Sequence, residues 1–267
     1  MRILIGLTYY RPHTSGLTIY AERLAKGLAR RGHEVTVMTS RFDPSTPREE
    51  VDEGVRIVRV PVAFRVSKGV IMPTIGFVAW REVIDHDVVC LHLPQFDAAG
   101  VAARGRLLGK PTTLTYHCDL KLPFGPFSAV VNEVVHAANN LAGLSAHRVV
   151  AYTEDFATHS PYLSRFSDKV EVIPPPVELP EATPEEIDAF ARKHNLEESD
   201  PVIGMAARLA AEKGVEVLLR ALPMIHQVYP NARVLFAGQH EDVVGEQRYA
   251  ERLAPLFEKH RQHWTFL

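Results

Sequence analysis

Residues 201–222 read PVIGMAARLAAEKGVEVLLRAL and contain two candidate elements joined by a loop. Residues 202–206 form a short apolar run that predicts a buried strand, and residues 215–222 repeat apolar positions at helical spacing. The loop between them carries Arg208 and Lys213. Ligands of open α/β sheets bind beyond the carboxyl ends of the strands, where helix N-termini favour anions. A rigid guanidinium fork beside a mobile ammonium group suits a diphosphate, so this loop is a candidate phosphate site.

Composition excludes several classes of protein. The chain has 267 residues, is 46% hydrophobic and 23% charged, and carries a formal net charge of −2. It therefore has no excess of positive charge that would attract nucleic acid. Cys90 and Cys118 form neither a disulfide framework nor a zinc motif, as is usual in a reducing cytoplasm. No signal peptide and no run of membrane-spanning length is recognisable. We expect a cytoplasmic protein, and peripheral contact with the inner face of a membrane stays open.

The order of elements predicts alternating strands and helices. A strand at 2–7, a helix ending near Gly32 and a strand at 34–39 form a βαβ unit. The dinucleotide motif G-x-G-x-x-G is absent after the first strand, which argues against an NAD enzyme. Further strands are predicted at 55–60, 87–92, 112–116 and 147–151, with helices at 97–108 and 127–144, whereas residues 61–80 look irregular.

A second set of elements begins at residue 183. Thr183, Pro184 and Glu186 form a capping box with proline in the first turn, which predicts a helix at 184–194. After the strand at 202–206 and the helix from 215, we expect a strand at 232–237. A helix at 246–261 with a kink or break at Pro255 follows, and then the beginning of another strand.

The spacing G-x-x-x-R-L-x-x-x-K-G-x-x-x-L-L-x-A-L from Gly204 resembles the donor-binding segment of family-4 glycosyltransferases, which have the GT-B fold. Residues 169–178, KVEVIPPPVE, are similar to that family's K-x-x-V-I-P-N-G-V-D. The resemblance implies an α/β, GT-B-like chain with a complete N-terminal Rossmann-like domain at 1–173 and a proline-rich hinge at 174–182. Residues 183–267 would then be the beginning of a second, donor-binding domain, truncated before the family's E-x7-E segment.

The same resemblance assigns roles to particular residues. It places Arg208 and Lys213 on the donor diphosphate, together with Gly16, because residues 12–17 (PHTSGL) resemble the family's P-x-x-G-G loop with Ser15 in the place of the first glycine. His117 follows a strand in a T-x-H setting and is the candidate catalytic residue. Weaker candidates for a donor or acceptor loop are Ser15, His92, Asp119, Gly238 and Gln239. His92 is equally well read as a loop histidine without a role, and Asp119 as a local turn cap.

The implied reaction moves a sugar from a UDP- or GDP-sugar to an acceptor hydroxyl group on a lipid, glycan or small molecule, with retention of configuration. The nucleotide sugar is a co-substrate; no other cofactor and no metal is implied. Two alternatives stay open at this point. One is a nucleotide-sugar epimerase on the same fold, and the other is an inactive fragment or binding module.

Overall fold

The computed structural model describes residues 1–66, 69–119, 126–179, 181–243 and 246–267. The chain divides into two compact units, Met1–Glu178 and Leu179–Leu267. Each unit has its own sheet flanked by helices, so the α/β class is as predicted. Residue 180, within the predicted hinge at 174–182, lies outside the described residues.

The first unit is built on a sheet of eight strands in the order β10-β9-β8-β7-β1-β2-β4-β3. Its pairs are parallel except β3 with β4, which is antiparallel. A separate hairpin pairs β5 with β6. The strands are β1 Arg2–Gly6, β2 Glu34–Arg41, β3 Glu49–Asp52, β4 Val55–Pro61, β5 Phe64–Val66, β6 Gly69–Ile71, β7 Val88–Leu93, β8 Thr112–Tyr116, β9 Arg148–Ala151 and β10 Val170–Val172.

The helices of this unit cover both faces of the sheet. They are α1 Gly16–Arg30, α2 Ile75–Asp85, α3 Ala98–Leu107, α4 Pro126–Ser145 and α5 Glu154–His159, followed by a 3-10 segment at Leu163–Lys169. Alternate residues of a strand point to opposite faces. Ile3 and Ile5 accordingly pack with Ala21 and Ala25 of α1, while Leu4 belongs to the core beneath α2, α3 and α4.

The second unit contains a parallel sheet in the order β11-β12-β13. The predicted capping box is confirmed: the Thr183 hydroxyl accepts from the Glu186 N–H at 3.3 Å, and the Glu186 carboxylate accepts from the Thr183 N–H at 2.8 Å. The elements are α6 Pro184–Lys193, β11 Val202–Ala206, α7 Val215–Val228, β12 Arg233–Ala237, α8 Gln247–Lys259 and β13 Trp264–Phe266.

Two of the local expectations are wrong. Residues 61–80 are not irregular, because they contain the β5–β6 hairpin and the start of α2. Apolar side chains lie on the outer as well as the inner side of α2, which hides the helical period from the sequence. Pro255 does not break its helix, since α8 runs on through it to Lys259.

The carboxyl ends of β1, β7, β8 and β9 lie at one edge of the first sheet, because these neighbouring strands are parallel. Ligands of such sheets bind at this edge. The loop before α1, His92 near the end of β7, and the residues that follow β8 and β9 are therefore neighbours in space, although they are far apart in sequence.

Candidate functional site

Residues Ser15 and Gly16 form the start of α1. The Ser15 hydroxyl caps the helix by accepting from the Thr18 N–H at 3.2 Å. The Thr18 hydroxyl donates in turn to the Tyr9 carbonyl at 3.3 Å, which fixes the preceding loop. A Cβ atom added to Gly16 would meet no other atom within 4 Å. Serine therefore closes this loop by capping the helix, and Gly16 leaves open space beside the start of α1.

His92 and His117 are brought together by the pairing of β7 with β8. His92 lies opposite Thr115 in the register, and the His117 N–H donates to the Leu93 carbonyl at 3.1 Å. The Nδ1 atom of His92 then lies 2.9 Å from Nε2 of His117, a hydrogen-bond distance. His92 is 1% exposed. His92 thus lies in strand β7 rather than in a loop, and its ring has a hydrogen-bond partner.

Two tyrosines complete the group around His117. The Tyr152 hydroxyl, directly after β9, forms a hydrogen bond with Nδ1 of His117. The ring of Tyr20, on α1, lies edge-on to His117 with centroids 5.1 Å apart and contacts His92 and Tyr152 at 5.5 Å. We call Tyr20, His92, His117 and Tyr152 the imidazole cluster. Neither Tyr20 nor Tyr152 was predicted from the sequence as a site residue, because each meets the histidines only through the packing of distant elements.

The hydrogen bonds of the imidazole cluster have a consequence for His117. Its Nδ1 atom is engaged by Tyr152 and its Nε2 atom by His92, so both ring nitrogens already have partners. Nε2 of His92 is buried without a hydrogen-bond partner among the described residues. The three side chains therefore form a row of hydrogen bonds from His92 through His117 to Tyr152. Whichever groups donate, Nδ1 of His92 is bonded to His117, and the Tyr152 hydroxyl lies at the other end of the row, just after β9.

Burial keeps both imidazoles of the cluster neutral. It lowers the pKa of His117 from 6.5 to about 4, and burial together with the neighbouring His117 lowers the pKa of His92 to about 3. Both rings therefore act near neutral pH as uncharged hydrogen-bonding groups. Neutral imidazoles can share a hydrogen bond without the repulsion of two cations.

These depressed pKa values predict how stability changes with pH. The unfolded chain binds protons at both histidines near pH 6.5, whereas the folded chain resists them down to about pH 4 for His117 and about pH 3 for His92. The unfolded state thus holds more protons in this window, so the contribution of the two neutral histidines to stability is complete above pH 6.5 and is lost as the pH falls.

We expect His92→Gln to make the unfolding temperature less dependent on pH between 7 and 4 than in the wild type. His159→Gln, at a 75% exposed histidine, is the control for losing an imidazole. An unchanged pH dependence in His92→Gln contradicts the burial argument.

Asp119 accepts hydrogen bonds from two side chains near this end of the sheet. Its Oδ1 atom accepts from the Tyr116 hydroxyl at 3.0 Å and from the Ser160 hydroxyl at 2.9 Å. Tyr116 is the last residue of β8, and Ser160 follows directly after α5. Asp119 therefore ties the loop after β8 to this segment and helps to hold His117 in place.

The second unit carries the two predicted phosphate-binding cations after β11. Arg208 is exposed and donates to the Glu212 carboxylate at 3.0 Å. Lys213 ends a 3-10 turn, Ala211–Lys213, and is also exposed; no ion pair or side-chain hydrogen bond joins it to any residue that the structure describes. Gly214 follows with φ +64 and begins α7. Both cations thus lie in the short connection between a strand end and a helix start.

The loop after β12 packs against this connection. The Ala207 N–H donates to the Ala237 carbonyl at 3.0 Å, and the Leu209 N–H donates to the Gln239 carbonyl at 2.9 Å. Gly238 lies between them with φ +139. The Gln239 side chain donates to the Glu241 carbonyl at 3.3 Å, within its own loop. Backbone hydrogen bonds therefore hold the Gly238–Gln239 loop against the strand end that precedes Arg208.

We expect Gly238→Ala to displace this loop. An added Cβ atom would lie 2.2 Å from the Ala207 carbonyl oxygen, and side chains rarely adopt the φ of +139 found here. The substitution should lower the stability of the second unit by about 1–3 kcal/mol. Urea unfolding monitored by Trp264 fluorescence in a Trp80→Phe background measures it, with Gly204→Ala as control, because a Cβ atom there meets nothing within 4 Å. Equal effects of the two substitutions would argue against the close contact.

The described residues contain no group of three or more His, Cys, Asp or Glu side chains arranged to hold a metal ion. Within the same residues, no helix has both the length and the apolar character needed to cross a bilayer.

Comparison with known proteins finds one matching family model in each unit. Residues 15–176 match the family described as "Glycosyl transferase 4-like domain", and residues 186–265 match "Glycosyl transferases group 1". The chain is 27% identical over 245 residues to a D-inositol 3-phosphate glycosyltransferase of Segniliparus rotundus, covering 84% of the chain and 53% of that protein. It is 31% identical over 226 residues to a 2-deoxystreptamine N-acetyl-D-glucosaminyltransferase of Streptomyces fradiae, covering 74% and 52%.

Solved structures show the fold. HepE of Anabaena, in complex with UDP, superposes with a TM-score of 0.72 at 19% identity, covering 100% of this chain and 69% of that one. The predicted GT-B-like class is thereby confirmed. The chain spans about half the length of the curated relatives it matches. Because the first family match alone includes more than half of its residues, the chain belongs to the glycosyltransferases with a glycosyl transferase 4-like domain.

Proposed function

We propose that this protein transfers a sugar from a nucleotide-diphosphate sugar to an acceptor hydroxyl group, with retention of configuration at the sugar. The observation that carries the proposal is the loop pair of the second unit. Arg208 and Lys213 lie exposed between a strand end and a helix start, and the Gly238–Gln239 loop is held against that strand end by backbone hydrogen bonds. Family membership supports the same reaction.

The role proposed for the two cations follows from where charge develops. When the bond between the sugar carbon and the diphosphate oxygen breaks, negative charge increases on the departing diphosphate. Cations placed there stabilise the transition state more than the ground state. In the proposed reaction the acceptor oxygen forms its bond on the same face of the sugar carbon from which the diphosphate departs, so the configuration is retained. The proton of the acceptor hydroxyl passes to the departing diphosphate oxygen. Arg208 offers paired donors and Lys213 a mobile charge for this purpose.

His117 is proposed to act through its neighbours in the imidazole cluster. Since both of its ring nitrogens are engaged, we propose that it orients the Tyr152 hydroxyl for a substrate bound at the carboxyl edge of the first sheet. Ser15, Gly16 and the loop before α1 remain proposed for the donor phosphates or the acceptor. His92 is then a partner of His117, and Asp119 a support for its loop.

We expect Tyr152→Phe to lower kcat about tenfold, because it removes the hydroxyl group that His117 is proposed to orient, and one hydrogen bond contributes about 1 kcal/mol. The unfolding temperature should fall slightly, since Nδ1 of His117 loses its partner. Because the variant frees one nitrogen of His117, the acid limb of the pH–rate profile should also move. The control is Tyr229→Phe in the second unit, whose side chain is 50% exposed. A wild-type kcat and pH profile in Tyr152→Phe would remove Tyr152 from the site.

The reaction is tested by incubating the purified chain with a radiolabelled sugar nucleotide and a panel of hydroxyl acceptors. HepE holds UDP, so UDP-sugars are the first donors to test and GDP-sugars the second. The relatives' names include inositol phosphate and deoxystreptamine, which places cyclitols in the panel beside glycans and lipids. Transfer with retained configuration supports the proposal. Interconversion of the free sugar nucleotide without acceptor would indicate an epimerase, and failure to bind any nucleoside diphosphate would indicate a binding module.

We also propose a cytoplasmic location and a functional division at the proline-rich stretch. The free thiols of Cys90 and Cys118 support the first. We propose a division into residues 1–173, a hinge at 174–182 and residues 183–267. It is supported by the two compact units, whose boundary along the chain lies between Glu178 and Leu179.

A further inference from the structure

The 3-10 turn Ala211–Lys213 in the second unit has little packing of its own. Its three residues are exposed, whereas Ala210 before it and Val215 after it are buried. Within the turn, the Lys213 N–H donates to the Ala210 carbonyl at 2.9 Å. An exposed stretch without buried side chains opens easily unless hydrogen bonds from other elements hold it. The position of the Lys213 ammonium group therefore depends on contacts that reach this turn from elsewhere in the unit.

One such contact comes from Glu246, the residue directly before α8. Its Oε2 atom accepts from the Ala211 N–H at 3.1 Å, across 35 positions of the chain. The backbone of Glu246 is itself fixed, because its carbonyl accepts from the Ala250 N–H at 2.9 Å in the first turn of α8. A hydrogen bond to an ionised carboxylate is roughly twice as strong as one between neutral groups. Glu246 thus joins α8 to the turn, two residues before Lys213.

A second contact from the start of α8 holds the residues that follow Lys213. Tyr249 lies three positions after Glu246, a spacing that places both side chains on one side of the helix. Its hydroxyl donates to the Glu216 carboxylate and accepts from the Glu216 N–H at 3.4 Å, in the first turn of α7. Tyr249 is 6% exposed, so packing fixes its ring. The start of α8 therefore holds the chain on both sides of Lys213.

Glu246 makes its contact with the backbone of the turn and not with the cation. No ion pair joins the Lys213 ammonium group to Glu246 or to any other carboxylate in the part of the chain that the structure describes. A carboxylate bound to that ammonium group would compete with a diphosphate for it, as Glu212 does for Arg208. Because Glu246 accepts from an amide instead, it holds the turn while leaving the charge of Lys213 available.

We propose that Glu246 is a positioning residue for sugar transfer, whose carboxylate holds the Ala211–Lys213 turn so that the Lys213 ammonium group lies where the diphosphate departs. The proposal rests on the function proposed above, since it depends on the role given there to Lys213. Preorganised charges act only when neighbouring groups hold them, and a displacement of about 1 Å can lower a rate about 10²-fold. Glu246 touches neither donor nor acceptor and acts through the turn.

The first test of Glu246 needs no substrate. Amide hydrogen exchange of Ala211 is measured in the wild type, in Glu246→Ala and in Glu246→Gln. We expect Glu246→Ala to speed this exchange about tenfold, because the Ala211 N–H loses its acceptor. Glu246→Gln should retain most of the protection, since its amide oxygen still accepts. The control is Glu251→Ala, which removes an exposed carboxylate from the same helix. Unchanged exchange in Glu246→Ala overturns the proposal.

The second test separates positioning from a general loss of stability. Glu246→Ala should lower kcat about tenfold, with a smaller change in KM for the donor, and Glu246→Gln should restore most of kcat. If Glu246 acts through Lys213, Glu246→Ala should have no further effect on kcat in a Lys213→Ala background. Equal losses of kcat in the two backgrounds overturn the proposal, because Glu246 would then act independently of Lys213.

The outcomes also separate this proposal from the one on which it rests. A wild-type chain that transfers no sugar from any donor overturns the role of Lys213, and the role of Glu246 falls with it. Transfer by the wild type together with an unaltered kcat in Glu246→Ala overturns the role of Glu246 alone.

Discussion

Replacing Lys213 by alanine is expected to lower kcat for sugar transfer by about 10²–10³-fold, the usual cost of removing one preorganised group that stabilises developing charge. Lys213 is suited to this role because its ammonium group is exposed and is not neutralised by a carboxylate of the described residues. Arg208, by contrast, is shared with Glu212 at 3.0 Å. A diphosphate bound at this connection would compete with that carboxylate for Arg208 but not for Lys213.

The comparison that tests Lys213 separates binding from catalysis. Steady-state kinetics with saturating donor give kcat, and KM for the donor shows whether ground-state binding changes as well. Lys193→Ala removes an exposed lysine from α6 in the same unit and should leave kcat unchanged. Because Lys213 is exposed, its loss should not lower the unfolding temperature. A kcat within severalfold of the wild type would exclude Lys213 from the site.

The second large effect is expected on stability, at the ion pair between β4 and α2. The Arg56 guanidinium donates to both oxygens of the Glu82 carboxylate, at 2.8 and 3.2 Å. Glu82 is 1% exposed, so Arg56→Ala leaves a buried carboxylate without its main partner. Such changes cost about 3–5 kcal/mol of unfolding free energy, and we expect about 3 because Arg56 is partly exposed and Arg81 lies 3.4 Å from the same carboxylate.

Differential scanning calorimetry measures this loss as a fall of about 6–12 °C in the unfolding temperature of the first unit. The control is Arg2→Ala, which breaks an ion pair of similar length, 2.8 Å, between Arg2 and Asp87. Both side chains of that pair are about half exposed, so its removal should shift the unfolding temperature far less. Equal shifts in the two variants would show that burial of Glu82 does not govern the energy of its ion pair.

Local signals in the sequence predicted most of the individual elements. The strand at Val202–Ala206 and the capping box at Thr183 were found where expected, because the residues that determine each lie within a few positions of one another. The burial expected for that strand was wrong, since its residues alternate between exposed and half-buried. The helix α2 was missed, because its buried stripe is masked by the large apolar residues Phe77 and Trp80 on the opposite side.

From the residues alone it follows that the chain is α/β, that strand ends carry its polar residues, and that Arg208 and Lys213 share one strand-to-helix connection. Which distant residues meet depends on how the strands pair and pack. The contact of His92 with His117 depends on the register of β7 against β8. The contact of His117 with Tyr152 depends on the parallel pairing of β8 with β9, because each of the two residues directly follows one of these strands. Spacing along the chain encodes strands and helices, since these depend on near neighbours. Register and burial arise from the packing of the whole sheet, and they set the partners and the protonation of the imidazole cluster.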